Sequence, residues 1–459
     1  MSKLKLKFNL NTIFLFIVFT AFMLLRFYLI DKRLVFNWDQ EQFSNQIYDI
    51  IVNHKLTLLG PRVNNDLGFF LSPYFTYLLV PFYFFLNLSP SALILFLIIF
   101  NIFFFFLTYL IISKLFSKEH SLWFLALWSF NSVLQVFDIT AWWPIFIPIG
   151  VIITLFIFKK IQTEPKKIYN WIFLGLCIGF FTNMHIQFFS LLIISLFFII
   201  LERKKIFFIK GIFLMLLSFC FTFVPIFIFD LRHNFLNIKA LIPFISGNTT
   251  SLSGISTSWF PVFSNFMYPL IFTKNIWIIF FILLLISIGL IKTKQKNSFN
   301  KNVNYLTIFA LLYTFLIFSL YNKWPSEYYF VYLIPFIIFS IIDFFISNKK
   351  SYLLWIYLLI FIIFNFPILK SNLEPEYNSL NMKEKIVKEL KSKVNNSKIK
   401  VSFYGRSDID NGFNYLLRLY KLNISNDNNI PLIEIGIPPK KNSIQIGEYG
   451  VFIPNSLKK

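Results

Sequence analysis

The residues best suited to chemistry stand at positions 37–42, Asn-Trp-Asp-Gln-Glu-Gln. Asp39 and Glu41 lie two apart, just past the first long apolar run, in a chain with only 21 acids among 459 residues. A carboxylate held there can take a proton from a hydroxyl within its reach. The plain alternative is a solvated loop beside a membrane. We read 37–42 as the floor of a catalytic site, with Asp39 as its base.

Other ionisable groups could complete such a site. His54, Arg62 and Asp66 follow in the same polar stretch. Asp138 precedes Thr140-Ala141-Trp142-Trp143-Pro144, and His185 sits in Asn-Met-His-Ile-Gln. Asp230, Arg232 and His233 follow a later apolar run, and Lys323 and Glu327 flank Trp324-Pro325-Ser326. Arg62, Arg232, His233 and Lys323 are cations that could receive a phosphate and stabilise charge developing on it. Each group also has a plain role: His185 as a helix cap, Asp138 as an interfacial acid. Trp38, Trp142, Trp143 and Trp324 could stack on a sugar or form an interfacial belt.

These residues are positioned by membrane helices. The chain is 57% hydrophobic and 14% charged, against about a quarter charged in soluble domains, and contains 65 phenylalanines. Long apolar runs recur through position 369. The first of them, 13–30, is too long for the core of a cleaved signal peptide and lacks a small-residue cleavage site. The net charge of +22 sits largely in short loops between apolar runs, which points to the positive-inside pattern rather than nucleic acid. Cys177 and Cys220 both fall inside apolar segments, as small hydrophobes do.

Charge bookkeeping orients the chain. Lys3, Lys5 and Lys7 put the N-terminus inside, so the first helix delivers Asp39 outside. The segment 69–88 carries Pro73 and Pro81, which resist a straight helix. If it does not cross, Lys114/Lys118, Lys159/Lys160/Lys166/Lys167, Arg203–Lys205, Lys292–Lys301 and Lys349/Lys350 all fall inside. The outer segment 31–89 then holds 4 Lys/Arg against 5 acids. This reading predicts eleven spans near 12–30, 91–113, 121–137, 144–158, 171–184, 186–200, 206–229, 271–291, 304–321, 328–347 and 352–369. A transmembrane domain of 1–370 thus exposes outer loops at 31–90 and 230–270. The tail, 371–459, reads as a small outer α/β domain. It has a helix at 380–394 capped by Asn381 with Glu384, strands at 399–404, 430–435 and 444–453, and a short helix at 413–420.

An anionic phosphate on a lipid tail would suit this layout. Its head would meet Arg62, Arg232, His233 or Lys323, its tail would lie among Phe- and Leu-rich helices, and Asp39 would activate a hydroxyl attacking the first carbon of a sugar. A transporter or flippase for lipid-linked substrates would instead require internal repeats and ionisable groups near the midplane. No repeat is visible. An inactive structural or binding member of the cell envelope is the third reading.

Several short motifs then add a resemblance. They are Phe36-Asn37-Trp38-Asp39-Gln40, Gly60-Pro61-Arg62, Gly68 with Ser72-Pro73-Tyr74-Phe75-Thr76-Tyr77-Leu78 and Pro81, and Trp143-Pro144 with Pro148. They continue with Gly175-Leu176 and Gly179 leading to His185, Phe229-Asp230-Leu231-Arg232-His233-Asn234-Phe235, and Tyr328-Tyr329 with Pro335. In order and spacing over about 20–340, the chain resembles GT-C membrane glycosyltransferases. The likeness is to bacterial relatives of the protein O-mannosyltransferases and the lipid A aminoarabinose transferase (glycosyltransferase family 39). The resemblance implies a GT-C fold with juxtamembrane helices after Gly68, and Asp39 as the carboxylate of the first outer loop. It implies transfer of a sugar from a polyprenyl-phosphate carrier to a lipid, glycan or protein hydroxyl on the outer face of the membrane, with inversion. With Asp39 singled out by the likeness, the residue reading and the resemblance together make Asp39, Glu41 and Asp138 the catalytic candidates, and Arg62, Tyr74, His185, Arg232, His233, Lys323 and Glu327 the substrate-binding ones. The chain departs from the pattern twice. Gln40 stands where many members have Glu, and Trp143 stands where a second carboxylate is common. The cofactor expectation is therefore either none or a divalent cation held by Asp39 and Glu41.

Overall fold

The computed structural model describes residues 10–63, 69–203, 208–246, 257–292, 298–320, 324–394, 397–406, 408–427, 429–454 and 457. The chain opens with α1 (Leu10–Phe27), a short turn α2 (Ile30–Arg33), and α3 (Trp38–Val52). Then come α4 (Tyr74–Phe85), α5 (Ala92–Leu115), α6 (Lys118–Ser129), α7 (Ser132–Ile139) and α8 (Ile147–Thr163). Next are α9 (Ile168–Met184), α10 (Phe189–Leu201), α11 (Ile209–Phe221), α12 (Val224–Arg232) and α13 (Leu236–Ser246). The bundle closes with α14 (Phe260–Ile271), α15 (Ile276–Lys292), α16 (Ser298–Leu320), α17 (Leu333–Ser347) and α18 (Leu353–Ser371).

Five helical segments among the described residues are long and apolar enough to cross a membrane, or eight if each of three bent pairs is one span. The bent pairs are α6–α7 at 78°, α11–α12 at 55° and α14–α15 at 54°. Apolar helices of 10–17 residues fall at 168–184, 186–201 and 333–347, where three further spans were expected. Helix α4 has 12 residues, about 18 Å at 1.5 Å per residue, too short for a hydrocarbon core of about 30 Å. The structure departs from the sequence reading in the middle of the chain. Much of the expected outer loop 230–270 is helical, in α12, α13 and α14.

Each bend has a local cause. Asn131 ends the α6–α7 corner by accepting the backbone N–H groups of Val133 and Leu134 at 3.0 Å. Proline occupies the first turn of α12, and Phe272 after α14 takes a left-handed φ of 65°. Helices α9 and α11 approach closely because Gly175 and Gly179 carry no side chain. A Cβ on Gly175 would lie 2.0 Å from the Met215 carbonyl oxygen, and one on Gly179 would lie 2.4 Å from Thr222 Oγ1. At the lysine-rich end of the bundle, three asparagines of α16 join its neighbours: Asn300 and Asn304 donate to Asp343, and Asn302 to Glu202.

After α18 come α19 (Leu380–Val394), β1 (Lys400–Gly405), α20 (Phe413–Leu419), β2 (Leu432–Ile437), β3 (Ile444–Ile446) and β4 (Tyr449–Phe452). The sheet order is β1-β2-β4-β3. β1 runs parallel to β2, while β4 is antiparallel to both β2 and β3. The single strand expected at 444–453 is thus a tight hairpin, turned at Gly447 with φ 59°. Helix α19 begins at Leu380, so Asn381 is not its cap; its amide donates to Asp31 Oδ2 at 3.1 Å.

Candidate functional site

Residues 37–42 form the start of a helix rather than an open loop. Asn37 caps α3 in a capping box with Gln40, whose Oε1 accepts the Asn37 N–H at 3.0 Å. The other end of the Gln40 amide, Nε2, donates to the Ala141 carbonyl at 3.2 Å. A glutamate could do the first job but not the second, which gives the Gln in this position a physical reason. Helix α3 is held on α4 by Ser44 Oγ against Tyr83 OH at 2.6 Å, by Thr76 Oγ1 donating to Gln46 at 2.8 Å, and by the Phe43–Phe75 edge contact.

Asp39 sits in the first turn of this helix, half-buried. No described residue donates a hydrogen bond to its carboxylate, and burial alone pushes it up to about 6 from the usual 3.8. Tyr328, in the short helix Glu327–Phe330, stands within electrostatic reach. Its hydroxyl is raised first by burial and in part by the Asp39 charge. Tyr328 packs edge-on against Trp142 at 5.1 Å and against His185 at 5.0 Å, and Tyr329 lies 5.7 Å from His185. Burial drives the His185 imidazole down to about 3, so it is neutral at pH 7, and its Nδ1 accepts the Gln187 N–H. The structure therefore gathers Asp39, Trp142, His185 and Tyr328 from four separate segments. Nearby polar atoms are buried without a hydrogen-bond partner among the described residues: Gln42 Nε2, Trp142 Nε1, and both amide atoms of Gln187.

The other acids are committed elsewhere. Glu41 is buried, and its two oxygens accept the N–H groups of Gly412 at 2.9 Å and Tyr415 at 2.7 Å. It points into the C-terminal domain and does not pair with Asp39 as expected. Asp138 is also buried, in an ion pair with Arg26 of α1 at 3.0 Å, and accepts Trp128 Nε1 at 3.1 Å. It faces the bundle interior and stands in for no second carboxylate at the site. Asp230 caps α13 through the N–H groups of Asn237 and Ile238. No cluster of three or more His, Cys, Asp or Glu suited to a metal occurs among the described residues. With both Glu41 oxygens taken, the Asp39–Glu41 pair does not fit a divalent cation.

The cations form a looser group. Arg62 hydrogen-bonds Gln42 Oε1 through its backbone N–H, and its guanidinium lies 5.4 Å from the Phe70 ring. Phe70 contacts Phe229, and the His233 ring stacks on Phe229 at 4.1 Å. An aromatic pair thus links Arg62 to His233. Arg232 and Glu327 are exposed. Lys323 and Asp66 lie outside the described residues.

Tyr74 starts α4, donates to the Thr222 carbonyl at 2.6 Å and stacks on Phe180. It stands at one end of an apolar cavity of about 820 Å³ among α8, α9 and α11, lined by Phe156, Phe173, Leu176, Phe180 and Phe221, with Lys160 at the other end. Ser72, Asn183 and Thr222 close this corner through hydrogen bonds of 2.5 and 2.9 Å. The cavity follows α9 from Tyr169 to Phe181, about 18 Å along the helix.

Sequence reasoning missed Arg26 and Lys383. An arginine inside an apolar helix is itself a signal. Arg26 donates to the Trp128 and Ser129 carbonyls where α6 breaks, as well as to Asp138. Lys383, one of five lysines in α19, has no sequence feature that sets it apart.

No family model and no curated protein matches the sequence. Solved structures do. ArnT from Cupriavidus metallidurans bound to undecaprenyl phosphate superposes with a TM-score of 0.62 at 9% identity, covering 97% of this chain and 98% of that one. Its apo state gives 0.57 at 10% identity, over the same shares. The Archaeoglobus fulgidus oligosaccharyltransferase in the apo form gives 0.57 at 11% identity, covering 91% of this chain and 64% of that one. At these identities the likeness is one of fold: the chain is a polytopic helical membrane protein of GT-C fold carrying a small C-terminal α/β domain.

Proposed function

We propose that this chain is a glycosyltransferase that moves a sugar from a polyprenyl-phosphate carrier to an acceptor hydroxyl, with Asp39 as general base. The observation that carries the reading is Asp39 itself, a half-buried carboxylate with no donor among the described residues and an ionisation near 6. A base needs reach and a free lone pair; Glu41, Asp138 and Asp230 have spent theirs on partners.

In the proposed reaction, Asp39 takes the proton of the acceptor hydroxyl as its oxygen attacks the first carbon of the sugar. The bond from that carbon to the phosphate oxygen breaks, and the polyprenyl phosphate leaves with the electron pair. Attack opposite the leaving group inverts the anomeric carbon. Arg62 stabilises the departing phosphate, helped by Arg232 and His233. Trp142 and Tyr328 give the sugar a stacking wall. Gln42 Nε2 and Trp142 Nε1 donate to its hydroxyl oxygens, and the Gln187 amide donates through Nε2 and accepts through Oε1. The cavity under Tyr74 takes the isoprenoid chain, in line with the undecaprenyl phosphate bound by the Cupriavidus relative in fold. No step is routed through a metal ion.

The charge pattern supports an N-terminus on the cytoplasmic side, with Asp39 and the domain 371–459 on the outer face, and a transmembrane domain of 1–370. Acceptor and sugar classes follow from experiment. Purified protein in nanodiscs is incubated with a panel of polyprenyl-phosphate-linked hexoses and pentoses, and release of polyprenyl phosphate is measured by mass spectrometry. Release from at least one donor, dependent on Asp39, supports the reading; no release from any donor, with acceptor extracts present, counts against it.

A further inference from the structure

The C-terminal domain grips the segment that carries Asp39 at both of its flanks. Lys383 of α19 is 1% exposed. Its ammonium donates to the Phe36 carbonyl at 2.7 Å, to the Asn411 carbonyl at 2.7 Å, and to Asn37 Oδ1 at 3.4 Å. An ammonium has three donors, so this one is fully used, and two of its acceptors lie in the turn that starts α3. On the other side of Asp39, Glu41 receives the Gly412 and Tyr415 N–H groups. Asn411 and Gly412 are adjacent, so the contacts close a ring: Lys383 to Phe36 and Asn37, along α3 through Asp39 to Glu41, across to Gly412, and back through Asn411 to Lys383.

The fit around this ring is close. Gly412 has φ 82°, and a Cβ there would lie 2.3 Å from the Phe36 carbonyl oxygen. The approach to the ring is also tied down. Leu34 and Phe36 exchange backbone hydrogen bonds with Leu380 and Asn378, and the Asn378 amide donates to Asn37 Oδ1 at 3.2 Å. Farther along α3 the same domain makes a separate contact. Arg418 pairs with Asp49 at 3.3 Å and stacks on Tyr48 at 3.7 Å, exposed and away from the first turn.

We infer that Lys383 and Glu41 are positioning residues, and that the C-terminal domain is a clamp setting the register of the Asp39 turn over the site. This rests on the proposed role of Asp39, but the clamp itself has a readout that does not. Burying an ammonium and a carboxylate is costly unless both are paired, and here the pairing converges on one turn of backbone. A misplacement of about 1 Å at a reacting group can cost about 100-fold in rate.

The test uses the full chain in nanodiscs, with Lys383→Met, Glu41→Gln and, at the outlying contact, Arg418→Ala. Two things are measured: amide exchange over 36–44, and donor turnover with kcat separated from KM. For Lys383→Met and Glu41→Gln, exchange over 36–44 rises at least ~10-fold, and kcat falls about 10- to 100-fold with KM for the lipid donor within about 3-fold. Arg418→Ala leaves both near wild type. Unchanged exchange in both ring variants overturns the clamp, as does an equal loss in Arg418→Ala, which would mean that domain docking in general is what matters. Should Lys383→Met fail to fold, Glu41→Gln decides alone. An inactive wild type with the predicted exchange pattern would sink the transferase reading and leave the clamp standing.

Discussion

Arg26 and Asp138, 112 residues apart in sequence, meet at 3.0 Å inside the bundle with both side chains buried. Arg26 also donates to the carbonyls at the end of α6. It thereby supplies a positive charge at a helix C-terminus and ties α1 to both arms of the 78° bend.

The pair predicts a particular pattern of stability. Removing one partner strands the other charge, at a cost of about 3–5 kcal/mol, whereas removing both costs less. Arg26→Met and Asp138→Asn should each lower the thermal midpoint in detergent more than the double variant does per residue changed. The refolded or surviving fraction of Asp138→Asn should turn over at wild-type rate per folded molecule. A folded Asp138→Asn protein with no activity would return this residue to the site.

Asp39 predicts the pH dependence. With its ionisation near 6, the carboxylate is protonated and useless as a base below that pH, so turnover should rise through pH 6 and level off above it. The stability sign runs the other way. A carboxyl raised from 3.8 to about 6 leaves the folded state fully favoured below 3.8 and less favoured as pH rises through 6, by about 1–3 kcal/mol. Asp39→Asn should therefore unfold at higher temperature than wild type at pH 7.5 and at the same temperature near pH 3.5, by differential scanning fluorimetry.

Gln40 predicts the outcome of placing a glutamate at this position. Gln40→Glu keeps the capping box but faces a carboxylate toward the Ala141 carbonyl, which loses its donor. Leaving that contact unmet costs about 1–3 kcal/mol. The variant should be less stable and no more active, and should gain no dependence on divalent cations in a chelator titration.

The cavity among α8, α9 and α11 predicts a chain-length effect. Leu176→Trp places a large ring in the apolar channel. For a full-length polyprenyl donor, KM should rise about 10-fold, while a donor with a two-isoprene tail should be affected less than about 2-fold. Equal effects on both would place the tail elsewhere.

Much of this was legible in the sequence, because membrane crossing imposes long apolar runs and expels charge to the loops. The short helix at 74–85, too brief to span, sits where Pro73 and Pro81 argued against a crossing. Asp39, Trp142 and His185 were each visible as odd residues and Tyr328 as part of a short motif, though only the fold brings the Tyr328 ring to 5.1 Å from Trp142 and 5.0 Å from His185, within electrostatic reach of Asp39. Glu41 and Asp138 misled for one reason: a rare acid near a membrane needs a partner, and sequence does not say whether that partner is substrate or protein. Glu41 found backbone N–H groups more than 370 residues away, and Asp138 found Arg26. The lysine of α19 that closes the ring around Asp39 looked like any lysine on an amphipathic surface helix.

The central claim is that Asp39 takes the acceptor's proton, and single-turnover kinetics address it most directly. Wild type and Asp39→Asn, both shown to be folded and to bind polyprenyl phosphate equally, are mixed with a radiolabelled lipid-linked sugar and acceptor at pH 7.5. The account predicts a loss of at least about 100-fold in the transfer step with donor affinity unchanged. Transfer by Asp39→Asn within about 3-fold of wild type would contradict it.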